Sequence, residues 1–320
     1  MGALMNETEV TIPAGDVTLA GTLVTPGDEG PCPAALLIAG SGPLDRDGNH
    51  KQLPLAVSKD LAELLAAHGW ASLRCDKRGV GASTGDYLSA GLEDEFTDAR
   101  HAATWLAERV DVGSVVAIGH SVGALSAAEM SAWSDTVAGA ILLAYTAHDG
   151  MTTLTWQASE IGKTVPGWIK GVLKVFGSSI EKQQAKAIAR LQSTTDDVVR
   201  IQGQKINAKW MREFIAYDPQ PVLRATRTPL LVLTGSKDVQ VDPNDLEIVR
   251  HVAGDRARVV LADGVDHILR HEDQPVSNPK RYKKQITKPL DPVVTTAILD
   301  WLTDLHDGAA GTLEPETESP

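Results

Sequence analysis

Three residues of this chain have types and spacings that could act together on an acyl group: Ser121, Asp238 and His267. Ser121 stands in Gly119-His120-Ser121-Val122-Gly123, a G-x-S-x-G string. A Ser hydroxyl is a poor nucleophile unless a base takes its proton. The base expected is a His, itself held by a carboxylate that fixes its tautomer and steadies the imidazolium. When such a Ser rides a strand-to-helix turn, the partners follow in the order acid, then His. Asp238 ends Gly235-Ser236-Lys237-Asp238, just past the apolar run 229–234, and His267 ends Gly264-Val265-Asp266-His267, just past the run 256–261. Three separate positional requirements are therefore met.

The elements that must position these residues are legible around them. The apolar run 114–118 precedes the Ser121 string, and the helix formers 124–129 follow it. A Ser on so sharp a turn takes strained dihedrals and needs small neighbours, which Gly119 and Gly123 supply. The turn aims the first amides of the new helix at whatever Ser121 attacks. An ordinary Gly-rich turn between strand and helix would give the same five residues. The rivals for acid and base are weaker. Asp242 reads as a helix cap, Asp266 adjoins His267 and points away from it, and His120 lies beneath the turn. His271, four residues after His267, would suit a two-His metal site, but no HExxH spacing or third ligand supports one. The remaining histidines receive no role.

Along the chain, residues 8–25 alternate around Pro13-Ala14-Gly15-Asp16 and predict a hairpin. The run 34–39 predicts a strand buried on both faces. Gly40-Ser41-Gly42 follows it, and backbone amides can turn inward there; Ser41 is the expected second oxyanion donor beside Val122, with Gly42 the nearest alternative. Asp45-x-Asp47-x-Asn49 resembles a calcium loop only faintly, because Ala56 stands where the bidentate Glu is needed. Hydrogen bonding within the turn explains it better. Helices are expected at 53–68 and 92–109, and strands at 70–75 and 137–144. Asp76 and Arg78, after the strand at 70–75, are expected to tie their loop together.

The rhythm breaks at Tyr145. Residues 147–223 show no strand, helical stretches at 180–191 and 207–217, and, with Tyr145, seven of the fourteen aromatics. These either form the segment's own core or make a helical lid over an apolar substrate, with Trp156, Trp168 and Trp210 as substrate contacts. Strand and helix alternate again from 229. A helix is expected at 243–252 with Asp242 as its cap, then an irregular stretch at 275–292 and a closing helix at 293–306. The organisation expected is a core in two parts, 8–146 and 224–306, the lid at 147–223, and a disordered acidic tail at 307–320. The fold class is α/β: a mostly parallel, doubly wound sheet with the lid inserted between the nucleophile and acid strands.

Composition sets the outer bounds. The 320 residues are 42% hydrophobic and 22% charged, which is ordinary for a globular chain. A net charge of −12 argues against nucleic acid. The one basic run, Lys280 to Lys284 with Lys288, reads as a solvated face. No apolar stretch approaches the ~18 residues of a membrane span, and no signal peptide is evident. Cys32 and Cys75 have no metal-ligand spacing and suit a reducing cytoplasm.

Taken together, Ser41-Gly42-Pro43-x-Asp45-Arg46-Asp47-Gly48-Asn49, Asp76-Lys77-Arg78-Gly79-Val80-Gly81-x-Ser83, the Ser121 string, Gly235-x-x-Asp238 and Asp266-His267 resemble bacterial α/β-hydrolase carboxylesterases of the serine aminopeptidase-like group. The resemblance spans roughly residues 8–306 and is weakest through the expected lid. Ala39-Gly40 stands where many relatives carry His-Gly. The resemblance implies an α/β-hydrolase fold and ester hydrolysis through an acyl-enzyme. Ser121 is then the nucleophile, His267 the base and Asp238 the orienting acid, with the Ser41 and Val122 amides as oxyanion hole. It implies no metal or organic cofactor. The partner expected is a small ester with an apolar acyl group, with no nucleic acid or membrane, and a homodimer is compatible.

The same triad would serve a peptidase, an amidase or a thioesterase. A peptidase would need an acidic group for the substrate amine, such as Glu160 or Glu181. A non-catalytic ligand receptor on the same fold is a second class. A nucleotide-binding domain is a third, though G-x-G-x-x-G and a phosphate-loop Lys are both lacking.

Overall fold

The structure is a computed structural model and describes residues 5–27, 31–164, 180–201 and 203–311. The statements below concern those residues. The chain opens with β1 (Met5–Ala14) and β2 (Val17–Pro26), an antiparallel hairpin turned at Gly15, whose φ of +65° suits glycine. Next come β3 (Cys32–Ile38), α1 (Val57–Ala66), β4 (Ala71–Cys75), α2 (Leu92–Ala107), β5 (Val112–His120), α3 (Val122–Trp133) and β6 (Gly139–Leu143). The middle segment holds α4 (Gly150–Lys163), α5 (Ile180–Gln192), β7 (Val198–Ile201), β8 (Gln204–Asn207), α6 (Ala208–Ala216) and α7 (Pro219–Ala225). The chain then adds β9 (Leu230–Gly235), α8 (Asp245–Ala253), β10 (Ala257–Ala262), the short α9 (Tyr282–Gln285) and α10 (Pro292–Gly311).

Eight strands form one sheet in the order β1-β2-β4-β3-β5-β6-β9-β10. β2 pairs antiparallel with β1 and β4, and every pairing from β4 to β10 is parallel. The unbroken apolar runs are explained by cover on both faces. In β9, Leu230 and Val232 join the core beneath α2, α3 and α8, whereas Leu231 and Leu233 join the core beneath α1 and α10. β6 divides in the same way, Ala140 and Leu142 against Ile141 and Leu143. A strand buried on both sides has no polar face to alternate with. The parallel arrangement also brings the C-terminal ends of β3, β5, β6, β9 and β10 to one edge, where an α/β sheet binds ligands.

Several sequence expectations are corrected. The first helix begins at Val57 rather than Leu53, because Leu53 forms an isolated bridge with His50 and Pro54 follows it. Residues 147–223 do contain strands: β7 and β8 pair antiparallel, each too short at four residues to show a period. The closing helix continues to Gly311, past the expected boundary at His306; the end of the expected tail, 312–320, lies outside the described residues. Asp242 does not cap α8 directly. Asn244 holds the cap position, and the Asp242 carboxylate accepts the Asn244 amide at 2.9 Å.

The middle segment packs in two ways: Leu191, Val199 and Ala208 form a small cluster of their own, whereas its larger buried side chains join the core of the sheet. Tyr145, Trp210, Phe214, Val222 and Leu223 belong to the same core as α2 and α3. The rings of Trp210 and Phe214 stack at 5.1 Å, and Tyr217 donates to Glu129 of α3 at 2.9 Å. Asn207 Nδ2 donates to the carbonyls of Tyr87 and Ala90, and Lys209 pairs with Asp94 of α2 at 2.7 Å. α4 packs against α5 and α6. Trp168 lies outside the described residues.

Candidate active site

Ser121 sits between β5 and α3 with φ 56° and ψ −123°, a combination a non-glycine residue holds only under strain. Both glycines of the string are sterically required. A Cβ on Gly119 would stand 2.1 Å from the Gly123 carbonyl oxygen, and one on Gly123 would stand 2.2 Å from that of Ile38. The turn is therefore wedged against the end of β3, and the Ser121 amide is tied to the Leu143 carbonyl of β6 at 2.8 Å.

Asp238 and His267 meet at the same edge. Asp238 Oδ2 accepts from His267 Nδ1 at 2.8 Å, and both residues are buried. The other carboxylate oxygen, Oδ1, accepts the amides of Gln240 at 2.7 Å and Val241 at 3.0 Å, which fixes its orientation. A carboxylate only accepts, so the bond calls for a proton on Nδ1, and in the neutral imidazole Nε2 then keeps its lone pair. Ser121 Oγ has no hydrogen-bond partner among the described residues. Ser121 and His267 line one cavity of about 80 Å³, together with Ser41, Leu44, Leu55, Val57, Ser58 and Gln240. The amides of Ser41 and Val122 are likewise without partners among the described residues, and Val122 is the first residue of α3.

The loop carrying Ser41 is braced from below. Asp45 Oδ1 accepts the amides of Asp47 and Asn49, so these polar residues bond within their turn. Arg46 grips Asp76 with its amide and two side-chain nitrogens, at 2.8 to 3.2 Å. Burial pushes the Asp76 carboxyl up, but the Arg46 and Ala82 hydrogen bonds outweigh it and hold it below the usual range. Arg78 instead pairs with Asp98 of α2 through two bonds at 2.8 and 3.1 Å. Asp76 and Arg78 thus tie two loops to the body of the protein, each through a partner other than the other. Burial pushes the Cys75 thiol up to about 12, so at neutral pH it stays protonated.

Other sequence-singled residues lie elsewhere. Asp266 is buried, its Oδ1 accepting the amides of Ile268 and Arg270, and burial pushes its carboxyl up to about 6. His271 faces Asp291 at 3.3 Å, and no group of three His, Cys, Asp or Glu side chains converges as metal ligands among the described residues. Trp156 is half-buried on α4 and Trp210 is buried in the core, and neither is among the cavity's lining residues. Sequence reasoning missed Gln240 and Ser58. For Ser58 a signal was present: Ala56, which has no acceptor side chain, precedes the helix where a cap residue is expected.

Comparison with known proteins places this geometry in context. Residues 55–274 match the family model described as serine aminopeptidase, S33. The esterase EstD of Thermotoga maritima is 25% identical over 272 residues, covering 83% of this chain and 61% of its own. The chain thus spans about three fifths of the length of that curated relative. Est1E of Butyrivibrio proteoclasticus, solved with ferulic acid bound, superposes with a TM-score of 0.63 at 17% identity, over 93% of this chain and 99% of that one. A proline iminopeptidase of Mycobacterium smegmatis gives 0.63 at 14% identity, over 94% and 100%. At such identities the likeness is one of fold.

Proposed function

The chain belongs to the serine aminopeptidase, S33 family of α/β-hydrolases, and from that membership we propose that it hydrolyses carboxylic esters through an acyl-enzyme on Ser121. The observation that carries this reading is the Asp238–His267 hydrogen bond at 2.8 Å, with His267 and Ser121 lining one cavity. His267 Nε2 takes the Ser121 proton as Oγ attacks the carbonyl, and Asp238 steadies the imidazolium. The Oγ–Nε2 contact tightens when substrate binds, as catalytic contacts in ligand-free enzymes do. The amides of Ser41 and Val122 receive the oxyanion; losing one such donor costs roughly 10²–10³ in rate. His267 then protonates the leaving alkoxide, and water releases the acid.

An ester is favoured over an aminoacyl substrate by the cavity wall. Recognition of a substrate amine calls for a carboxylate, and among the described residues no Asp or Glu lines the cavity. Glu160 is paired with Lys163 on α4, and the side chain of Glu181 lies outside the described residues. The cavity bears on the acyl preference. At about 80 Å³ among the described residues it is roughly half the ~150 Å³ that holds a benzene ring, room for about three non-hydrogen atoms. That size favours a short acyl group. The reading of 147–223 as a lid rests on its place between the nucleophile and acid strands and on the bond from Gln157 of α4 to the lining residue Gln240 at 3.4 Å. Among the described residues no helix is long and apolar enough to cross a membrane.

The test is hydrolysis of p-nitrophenyl esters from acetate to octanoate, with Ser121→Ala beside the wild type. The reading expects turnover highest for acyl chains of about two to four carbons and none in the variant. A wild type that is folded and cleaves no ester, or a variant as active as the wild type, overturns it.

A further inference from the structure

The N-terminus of α1 opens into the cavity that holds Ser121. The first amides of a helix have no acceptor within it, and a capping side chain normally takes one of them. Here the cap position is Ala56, at φ 56° and with no acceptor to offer. The Ala56 amide donates to Asn49 Oδ1 at 2.9 Å, and the Lys59 amide to the Asp47 carbonyl at 3.3 Å. Between them, the amides of Val57 and Ser58 have no partner among the described residues. Ser58 Oγ has none either, although Ser58 is only 4% exposed. Val57 and Ser58 both line the cavity. Gly48, at φ +83°, leaves room in front of them: a Cβ there would stand 3.2 Å from Ser58 Oγ and 3.3 Å from the Ser58 nitrogen.

Three donors thus converge at the electropositive end of a helix, in the wall of the cavity that exposes the nucleophile. They face the cavity, where a ligand oxygen can accept from them. Among the described residues no Lys, Arg, Asp or Glu lines the cavity to compete for these donors or replace them. Asp60, in the first turn of α1, is engaged with Arg270. Gln240 adds one N–H and one lone pair beyond its bonds to Tyr282 at 3.2 Å and Gln157 at 3.4 Å. Among the described residues no side chain accepts from the Val57 and Ser58 donors.

We propose that the N-terminal turn of α1, through Val57, Ser58 and the Ser58 hydroxyl, is an acyl-group subsite that binds an oxygen carried by the acyl chain. The preferred substrates are then esters of short oxygenated acids, with an ether, hydroxyl or carboxylate oxygen next to the α-carbon. This deepens the ester-hydrolase reading and rests on it. The chemistry is unchanged: the Ser121 Oγ–acyl bond forms as the acyl–alkoxy bond breaks and the Ser121 proton passes through His267 to the alkoxide; a water oxygen then bonds to the acyl carbon as the Oγ–acyl bond breaks, and its proton returns through His267 to Ser121. The acyl oxygen is held and not altered.

The test compares kcat/KM for p-nitrophenyl butyrate and p-nitrophenyl methoxyacetate, acyl groups of matched length that differ by one oxygen, each corrected for its rate of alkaline hydrolysis. Monomethyl malonate and methyl butyrate, followed by pH-stat, make the charged pair. The enzymes are wild type, Ser58→Ala and Ser58→Thr, with thermal melts confirming that all are folded. The expected result is a five- to tenfold loss of kcat/KM in Ser58→Ala on an oxygenated ester, little change on the butyrates, and recovery in Ser58→Thr. Loss confined to methoxyacetate identifies a neutral oxygen as the ligand, and loss confined to malonate a carboxylate. Equal loss on all four esters, or none on any, overturns the subsite while leaving the esterase reading intact. A folded wild type that cleaves no ester at all fails that earlier reading instead.

Discussion

His120 Nε2 donates a hydrogen bond to the backbone carbonyl of His267 at 2.8 Å, and the two imidazole rings lie 4.9 Å apart. The residue before Ser121 therefore holds the main chain of His267, the proposed base. A carbonyl only accepts, so this role needs a proton on His120 Nε2 and none is needed on Nδ1. Burial, helped by the neighbouring His267, pushes His120 down to about 4, so the ring is neutral throughout the working pH range.

That shift has a consequence for stability. The unfolded chain takes up a proton on His120 near pH 6.5, whereas the folded chain resists until about 4. The contribution is therefore complete above 6.5 and is lost as pH falls through that window, by roughly 3 kcal/mol in all. Asp266 runs the other way. Its folded carboxyl titrates at about 6 against 3.8 unfolded, so acidification from 6 to 3.8 favours the folded state and offsets His120. We expect His120→Gln, which keeps a donor but cannot titrate, to narrow its stability gap to wild type between pH 6.5 and 4. Urea unfolding at several pH values measures the gap, and a constant gap would refute the assignment.

The strain at Ser121 predicts a trade of function against stability. Glycine holds φ 56° without a side-chain penalty. Ser121→Gly should recover about 1–3 kcal/mol, which at a chain length above 250 residues means a melting temperature higher by a few degrees. Activity should be absent. Calorimetry of the variant beside the wild type decides the matter, and an unchanged or lower melting temperature would mean that the turn stores no strain.

Asp238→Asn should preserve the fold and remove the reason for the His267 tautomer. An amide can donate to Nδ1 and leave the proton on Nε2, where it blocks base catalysis. The expected fall in kcat is on the order of 10³–10⁴ at neutral pH, with little change in KM. Steady-state kinetics on a short ester provides the check, and a loss under tenfold would exclude Asp238 as the orienting acid.

Trp210, half of the stacked pair with Phe214, separates the two readings of the middle segment's aromatics. As a buried core residue it should cost about 3–5 kcal/mol on replacement by Ala, with the acyl-chain preference of the folded enzyme unchanged. A shifted chain-length optimum with little loss of stability would return Trp210 to the substrate site.

The sheet and the residues of the proposed triad were legible because they depend on short-range rules. G-x-S-x-G marks a turn whose glycines have no room for a Cβ, and strands buried on both faces read as unbroken apolar runs. The order Ser121, Asp238, His267 then follows from which strands end at one edge. The middle segment resisted reading for the opposite reason. Trp210 and Phe214 have the composition of a lid, but whether they face a substrate or α2 is decided by contacts with residues more than a hundred positions away. β7 and β8 are too short to show a period, and the bond from His120 to His267 spans 147 positions. The cavity's size was hidden too, because it is set by side chains from five separate segments of the chain.

The central claim, that Ser121 is an activated nucleophile, is tested most directly by trapping it. The protein would be incubated with an alkyl fluorophosphonate, which reacts with a Ser only when a base has activated it, and then analysed by intact-mass and peptide mass spectrometry. The account predicts one adduct per chain, on the peptide that contains Ser121, and none in a folded Ser121→Ala variant. An unmodified wild type with intact circular dichroism, or an adduct that persists in the variant, would contradict it.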